Sequence, residues 1–419
     1  MDTSAFRLGK RKYIDKTFWV IFLVLVVVSI IALFSASSSL IRTATAQGHN
    51  PLYPIAAQII YLILGVVIAY GIQFLPSWFY RLSGYALLGL GILFLMLNAA
   101  HIGVTINGAT RWIRIAGITI QSSEIAKIGL IIVVADLLTR IQDPQTEKKY
   151  FLWVLGITAL TCILIMFGNL STAILLGGVI ILLLFLARVR WYWILGIIGV
   201  AVLLLIGGYF YVENVYVKPG KEMHGIMGRA VTWVSRIDNK MLENQTDNST
   251  IRINDDNYQS TLARVAVARG GQSPLGVLPG NSLERNHLPL AYADYIFAII
   301  VEETGIIGAL LLCLLYLSIL FRACLTSSRY SDYSAQLMVM GLGLMITLQA
   351  LVSMAVAVGL GPVTGQPLPM ISKGGTSAII TSIYFGIMMG VSREQNQIKA
   401  QQEQTIHESE ETIPDIEIE

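Results

Sequence analysis

The chain has 419 residues, of which 55% are hydrophobic and 13% are charged, and its mean hydropathy is +0.66. Soluble domains carry about a quarter charged residues, so this composition excludes an ordinary soluble protein and indicates a membrane protein. The net charge of +3 argues against nucleic acid as a partner, and the three cysteines, without a C-x-x-C spacing, indicate neither a disulfide nor a thiolate metal site.

Ten apolar runs follow one another along the chain, each close to the length needed to cross a hydrocarbon core of about 30 Å. They predict an all-α polytopic membrane protein with about ten transmembrane helices. The first run is too long for a signal peptide and is interpreted as an uncleaved span. The predicted spans are 17–38, 53–75, 81–99, 122–140, 151–167, 171–188, 191–212, 293–321, 335–358 and 374–392.

Lysine and arginine are distributed unequally between the predicted short loops, and most lie on the side of the N-terminus. This bias predicts that both termini are cytoplasmic. Within the large loop that follows the seventh span, the Asn/Asp-rich tract 236–258 predicts a mobile segment, and a helical pattern follows it as far as Gly270. The expected regions are a basic segment 1–16, a membrane domain 17–392 with a large extracytoplasmic loop 213–292, and an acidic, disordered tail 393–419.

Four polar or glycine-rich segments fall at one predicted end of the spans, the extracytoplasmic end. Residues 107–127 lead into the fourth span, and residues 168–172 join the fifth span to the sixth. Asp294 begins the eighth span, and residues 361–377, with three prolines and four glycines, precede the tenth. Regular helix is excluded in 361–377, so this stretch is either a structural plug or a loop that lines a ligand site. Together the four segments predict a site open to the outer membrane interface.

Acids in and before the eighth span are the first candidates for chemistry. Asp294 either complements the helix dipole or, partly dehydrated, acts as a general base. Glu302 lies eight residues on, roughly 12 Å deeper by helical rise. An acid at that depth is costly unless paired, so Glu302 either forms a structural ion pair or faces the site. Glu303 is expected to cap a neighbouring backbone segment.

The fourth span and its approach supply the candidate cations. Glu124 and Lys127 are three residues apart on one helix face and can pair. Either they neutralise each other, or Lys127 keeps its charge for an anionic ligand next to Arg111 and Arg114. Three cations at this entry would suit a pyrophosphate, although the two arginines also suit contact with lipid headgroups. The chain has no Walker A loop, H-E-x-x-H or G-x-S-x-G motif, which removes most support for ATP-driven and zinc-hydrolase functions.

The segments "RWIRIAGITIQSSEIAK", "GNLSTA", "PGNSLERNHLPLAYADYIFAIIVEETGIIG" and "GPVTGQPLPMISKGGTS", taken in order, resemble the SEDS family of bacterial peptidoglycan polymerases. The resemblance covers nearly the whole chain, and its loop sequence is more similar to the division branch than to the elongation branch. It implies a peptidoglycan glycosyltransferase that polymerises lipid II at the outer face of the cytoplasmic membrane.

The same resemblance implies roles for individual residues. The aspartate that begins the helix after the large loop is catalytic in the family, and its match is Asp294. Asn169 stands where the family often has Asp, and Lys373 stands where it often has an aromatic residue. The substrate-binding candidates are Arg111, Trp112, Arg114, Gln121, Glu124, Lys127, Glu302 and Lys373.

A mechanism follows as an expectation from the resemblance. Asp294 accepts the proton of an acceptor sugar hydroxyl, which attacks the anomeric carbon of the lipid-linked donor, and undecaprenyl pyrophosphate leaves. Arg111, Lys127 and a divalent cation, Mg²⁺ or Mn²⁺, would stabilise the charge of the leaving group. Membrane lipids and a class B penicillin-binding transpeptidase are the expected partners. A flippase of the lipid-linked precursor is the alternative function, and a scaffolding division protein is a third.

Overall fold

The computed structural model of the chain describes most of the predicted membrane domain. The predicted basic segment before residue 13, most of the tract 236–258 and residues 412–419 lie outside the described residues. The described residues are 13–37, 41, 45, 48, 50, 52–100, 102–106, 109–115, 117–217, 228, 230–235, 237–238, 258–288, 291–328 and 332–411.

Long apolar helices make up most of the described chain, which confirms the predicted all-α polytopic fold. A helix satisfies every backbone polar group within its own segment, and this is what a lipid environment requires of an apolar run. In chain order the helices are α1 (Lys16–Ala36), α2 (Tyr53–Ile72), α3 (Ser77–Ala99), α4 (Ser122–Ile141), α5 (Glu147–Met166), α6 (Leu170–Leu186), α7 (Trp191–Val212), α8 (Tyr258–Gly270), α9 (Ile296–Ser327), α10 (Tyr333–Ala357) and α11 (Thr376–Glu411).

Seven helices among the described residues are long and apolar enough to cross a membrane, judged by length and composition. They belong to α1, α2, α3, α5, α7, α9 and α10. Helix α6 is apolar but has only 17 residues, and α4 and α11 are not among the seven. The predicted count of ten spans therefore stays a prediction, although each predicted span corresponds to one helix of the fold.

A small antiparallel sheet, which the sequence analysis did not predict, connects α3 to α4. Its strands are β1 (Val104–Ile106), β2 (Ala109–Ile115) and β3 (Ile118–Gln121), paired in the order β1-β2-β3. Side chains alternate between the two faces of a strand, so Arg111 and Arg114 point to opposite faces of β2. Trp112 stands opposite Gln121 in the register of β2 and β3. The sheet thus separates the two arginines that the sequence analysis grouped together.

Glycines bring α3 and α4 into backbone contact, which places α4 in the centre of the bundle. A Cβ atom added to Gly91 would lie 2.6 Å from Cα of Ala126, and one added to Gly129 would lie 2.4 Å from N of Leu88. Small residues allow this close approach between membrane helices. As a result most side chains of α4, polar ones included, are buried.

The structure corrects the prediction for two segments, the eighth span and the tail. The predicted span 293–321 is not a continuous helix, because Gly305 in α9 has φ 66° and ψ −163° and kinks it. The tail from residue 393 was expected to be disordered, but α11 continues to Glu411. Its Gln, Glu, Lys and Ala residues are good helix formers, and a helix that already exists extends without a nucleation cost.

Ion pairs close the end of the bundle that holds the beginning of α1. The carboxylate of Asp15, the N-cap of α1, accepts hydrogen bonds from Arg322 Nη2 at 2.6 Å and from Ser392 Oγ at 2.5 Å. At the same end a salt bridge of 3.0 Å joins Arg81, near the beginning of α3, to Asp332, the N-cap of α10. These contacts tie α1, α9 and α11 together at the end opposite the segments considered next.

Candidate functional site

The chain between α10 and α11, residues 358–375, is irregular and folds back into the bundle; we call it the re-entrant loop. Side chains from the helices satisfy its carbonyl groups. Ser29 Oγ donates to the carbonyl oxygen of Met370 at 2.8 Å, and Gln349 Nε2 donates to that of Pro367 at 3.2 Å. Gln349 lies eight residues before the end of α10, about 12 Å along the helix, so the loop reaches well below the helix ends. Irregular backbone is stable at membrane depth when hydrogen bonds from the surrounding protein satisfy its polar groups.

Asp294 faces this loop. It lies on the turn immediately before α9 and is half-buried. A Cβ atom added to Gly365 of the re-entrant loop would lie 3.9 Å from Asp294 Oδ2. Gly365 has φ +60°, a conformation that glycine adopts without strain, and a side chain at this position would begin in van der Waals contact with the carboxylate. The catalytic candidate thus lies where the re-entrant loop meets the turn before α9, which we call the mouth of the bundle, and not against the outer surface.

Two hydrogen bonds hold the re-entrant loop against the turn that carries Asp294. Lys373 donates its backbone N–H to the carbonyl oxygen of Tyr292 at 2.9 Å. Ser372 Oγ donates to the carbonyl oxygen of Ala293 at 2.5 Å. Residues on both sides of the contact are therefore fixed relative to Asp294, although they are about 80 positions apart in the chain.

Lys373 and Tyr292 also interact through their side chains. The ammonium group of Lys373 lies 5.2 Å from the centroid of the Tyr292 ring, within the range of a cation–π interaction. Burial lowers the pKa of Lys373. Burial also raises the pKa of Tyr292, and the charge of Asp294 raises it further. The side chains of Lys373, Tyr292 and Asp294, which come from two chain segments, therefore lie close enough to influence one another electrostatically.

Glu124 and Lys127 form a buried ion pair, and the structure favours mutual neutralisation over a free cation. Lys127 Nζ donates to Glu124 Oε1 at 2.7 Å and to Gln349 Oε1 at 3.0 Å. The side chains of Lys127 and Glu124 are 1% and 8% exposed. Because Gln349 also bonds the re-entrant loop, the pair connects α4 through α10 to that loop.

The other candidates from the fourth-span motif are divided among different places. Arg111 is half-buried and packs at the α5–α6 turn, where a Cβ atom added to Gly168 would lie 3.6 Å from its Cγ. Arg114 is exposed on the opposite face of β2. Gln121 ends β3 and donates to Ser123 Oγ at 3.1 Å. The structure therefore does not bring Arg111, Arg114 and Lys127 together as one cluster of three cations.

The four segments expected at one end do converge there. Gln366 of the re-entrant loop donates to Thr172 Oγ1 at the start of α6, at 2.5 Å. Thr376 Oγ1 at the start of α11 donates to the carbonyl oxygen of Thr119 in β3 at 3.1 Å. Asn169 caps α6 by accepting from the backbone N–H of Thr172 at 3.3 Å. With the contacts of Asp294, these bonds gather the sheet, the α5–α6 turn, the re-entrant loop and the start of α9.

Glu302 and Glu303 hold the chain segment that precedes Asp294. Glu302 is fully buried, accepts hydrogen bonds from Ser282 Oγ and from the backbone N–H of Leu283 at 3.2 Å, and lies 3.7 Å from Arg269 Nη1. These contacts favour the structural ion pair over a substrate contact. Glu303 accepts from the backbone N–H of Gly280 at 3.0 Å, which confirms the predicted backbone cap.

Gln349, Gln366 and Tyr292 also contribute to the site, although they are not among the candidates predicted from the sequence. A signal was available for Gln349, because a lone amide within an apolar span must find a partner inside the bundle. Gln366 and Tyr292 are placed by contacts with residues distant in the chain, for which no local pattern exists. As to metals, no group of three or more His, Cys, Asp or Glu side chains suited to a metal ion occurs among the described residues.

Known proteins match the chain over most of its length. The "Probable peptidoglycan glycosyltransferase FtsW" of Enterococcus hirae is 29% identical over 403 residues, covering 94% of this chain and 96% of the relative. The protein of the same name from Geobacter metallireducens is 31% identical over 372 residues, covering 87% and 90%.

Solved structures show the same fold. A chain of a peptidoglycan synthase complex that coordinates polymerization and crosslinking superposes with a TM-score of 0.70 at 22% identity, over 91% of this chain and 98% of that chain. The rod shape determining protein RodA of Thermus thermophilus gives a TM-score of 0.61 at 22% identity, over 91% and 97%. The model of the FtsW–RodA–SpoVE family, described as "Cell cycle protein", matches residues 15–397. The resemblance to SEDS proteins is thereby confirmed, and the chain belongs to the FtsW–RodA–SpoVE family.

Proposed function

We propose that this chain polymerises lipid II into glycan strands during bacterial cell division, with Asp294 as the general base. The chain is a multi-pass inner-membrane protein and a peptidoglycan glycosyltransferase, as its family and its FtsW relatives indicate. One observation carries the assignment of the base. The half-buried carboxylate of Asp294 lies at the mouth of the bundle and faces the re-entrant loop at Gly365, where no side chain covers it.

The reaction joins two lipid-linked sugars. Asp294 accepts the proton of the acceptor hydroxyl, whose oxygen forms a bond to the anomeric carbon of the donor. The bond from that carbon to the diphosphate oxygen breaks, and its electron pair leaves with undecaprenyl pyrophosphate. A positioned general base contributes about 10²- to 10⁴-fold to such a step. The polyprenyl tails are apolar and stay in contact with membrane lipids beside the helices.

A flippase, the alternative function, would need ionisable groups that can be reached from both faces of the membrane. In this chain the deepest pair in α4, Glu124 and Lys127, is bonded to itself and to Gln349. Asp294, Lys373 and the re-entrant loop lie at one end of the bundle. This arrangement supports chemistry at one membrane face.

A divalent cation remains part of the proposal, as expected from the resemblance. The described residues do not contain an acidic cage, and Glu124 is paired with Lys127. A Mg²⁺ ion held mainly by substrate phosphates needs only one or two protein carboxylates, and Asp294 is a carboxylate at this end of the bundle. No step above depends on the ion.

The remaining proposals concern orientation and partners. The bias of Lys and Arg supports cytoplasmic termini, which would put Asp294 at the extracytoplasmic face, where lipid II is consumed. A structural neighbour of the chain comes from a peptidoglycan synthase complex that couples polymerization to crosslinking. This supports a class B penicillin-binding transpeptidase as the partner of this chain.

The test uses the full-length protein, reconstituted with such a transpeptidase and given labelled lipid II. Asp294→Asn preserves the shape of the side chain and removes the base, so glycan formation on gels should fall at least about 100-fold. The control is Asp143→Asn, an exposed acid between α4 and α5, which should polymerise at the wild-type rate. Wild-type polymerisation by Asp294→Asn would refute the proposal.

A further inference from the structure

The leaving diphosphate of the proposed reaction needs a cation, and Lys127 is poorly placed to supply one. This inference rests on the proposed function, which gives the site a diphosphate. Lys127 is 1% exposed, and its ammonium group donates to Glu124 and Gln349. To reach Lys127, a substrate would have to break the buried ion pair. This costs much free energy, because it leaves a buried charge without its partner. The phosphate charge is therefore better met by another side chain.

Lys373 has the position that the diphosphate requires. It belongs to the re-entrant loop, and its backbone N–H is bonded to the carbonyl oxygen of Tyr292, two residues before Asp294. A cation here is close to the base without lying on the same helix. Lys373 is also half-buried and not enclosed, so a ligand at the mouth of the bundle can contact it.

The charge of Lys373 is also uncommitted. No carboxylate lies within 4 Å of its ammonium group in the part of the chain that the structure describes. Its partner is the face of the Tyr292 ring, 5.2 Å away, and an aromatic ring attracts a cation without neutralising it. Because burial has removed part of the water around this ammonium group, a phosphate oxygen would restore its lost solvation and form a charge-assisted hydrogen bond.

We propose that Lys373, seated on the ring of Tyr292, binds the diphosphate of the lipid-linked donor and stabilises it as it leaves. Tyr292 acts as a positioning residue, because it orients the lysine and does not itself touch the phosphate. The base and the phosphate-binding cation are then fixed to each other by the bond between Lys373 and Tyr292. One contact between the re-entrant loop and the turn before α9 thus positions both the group that accepts the proton and the group that binds the leaving diphosphate.

Binding measurements test this role without requiring turnover. The full-length protein in phosphatidylcholine nanodiscs is titrated with undecaprenyl diphosphate, with undecaprenol, which lacks the phosphates, and with inorganic pyrophosphate. Lys373→Met should weaken binding of undecaprenyl diphosphate about ten-fold or more and leave binding of undecaprenol unchanged. Lys373→Arg should stay within a few-fold of wild type. Lys148→Met, the same change at an exposed lysine at the start of α5, is the matched control.

A second variant separates a binding role from a folding role. Tyr292→Leu keeps Lys373 and the backbone hydrogen bond but removes the ring, so it should cause a smaller, selective loss of diphosphate affinity. Equal losses for undecaprenyl diphosphate and undecaprenol in Lys373→Met would assign the lysine to structure and overturn the inference. Unchanged diphosphate affinity would overturn it as well. Inorganic pyrophosphate binding as tightly as the lipid would identify a site for free anions instead of the lipid-linked donor.

The two proposals fail in different experiments. Polymerisation by Asp294→Asn at the wild-type rate would remove the proposed base, whatever Lys373 binds. Unchanged diphosphate affinity in Lys373→Met, with an inactive Asp294→Asn, would remove only the role of the lysine.

Discussion

The ammonium group of Lys127 lies 2.7 Å from Oε1 of Glu124, and both side chains are almost completely buried. At such a depth each charge depends on the other, because removing one partner leaves an uncompensated charge in a medium of low dielectric constant. The pair therefore belongs to the internal structure of α4 and the helices around it.

Lys127→Met should consequently reduce stability more than substrate affinity. Loss of one partner of a buried ion pair costs about 3–5 kcal/mol, and the double variant Glu124→Gln/Lys127→Met should recover most of this loss. Thermal unfolding of the purified protein in detergent measures both effects as changes in Tm. An unchanged Tm together with weaker donor binding would instead make Lys127 a ligand of the diphosphate.

Gln349 should affect catalysis through the re-entrant loop. Its side chain accepts from Lys127 and donates to the carbonyl oxygen of Pro367, and Gln349→Leu removes both bonds. We expect faster hydrogen–deuterium exchange in residues 358–375 and a kcat reduced about ten-fold, with little change in KM, since misplacement of a site by about 1 Å is costly. Gln401→Leu, on the exposed part of α11, is the control. A normal kcat with a loosened loop would show that the loop does not position the site.

The lengths of the apolar runs predict the helices well, because a segment in lipid must satisfy its own backbone hydrogen bonds and a helix does so. The predicted span 191–212 coincides with α7, Trp191–Val212. The small sheet is not among the predicted elements, although "ITIQ" alternates apolar and polar residues and "TRWIRI" is rich in β-branched and aromatic residues, both typical of a strand. Its strands are short and lie next to strong helical signals, which obscure the pattern of a strand.

The convergence of polar segments at one end was also predictable, since connections at one end of antiparallel helices must meet. Individual partners were not. The bond between Lys373 and Tyr292 and that between Gln349 and Pro367 join residues of different elements, and sequence patterns describe only local periodicity. For the same reason the sequence leaves both alternatives open for Glu302, and the contacts of Glu302 with Ser282 and Arg269 decide between them.

Gly305 should be far less tolerant of substitution than a glycine of α7. It has φ +66°, and a Cβ atom added to it would lie 2.4 Å from both N of Gly276 and the carbonyl oxygen of Pro274. Gly305→Ala should therefore cost about 1–3 kcal/mol and loosen the segment before Asp294. Gly207→Ala is the matched control, because nothing lies within 4 Å of the added atom and alanine favours a helix. Equal Tm values for the two variants would contradict the close packing at the kink.

Alkaline pH should weaken donor binding through Lys373. Burial lowers the pKa of this lysine, so its protonated fraction falls at a lower pH than that of an ordinary lysine, whose pKa is about 10.4. The pKa of Tyr292 is raised, so the phenol stays neutral while the lysine loses its charge. The KM for lipid II should accordingly rise as pH increases through the lowered pKa of Lys373. Lys373→Arg stays protonated and should show a flat KM over the same range, measured from initial rates of polymerisation. If the arginine variant showed the same alkaline rise, the titrating group would have to be a different one.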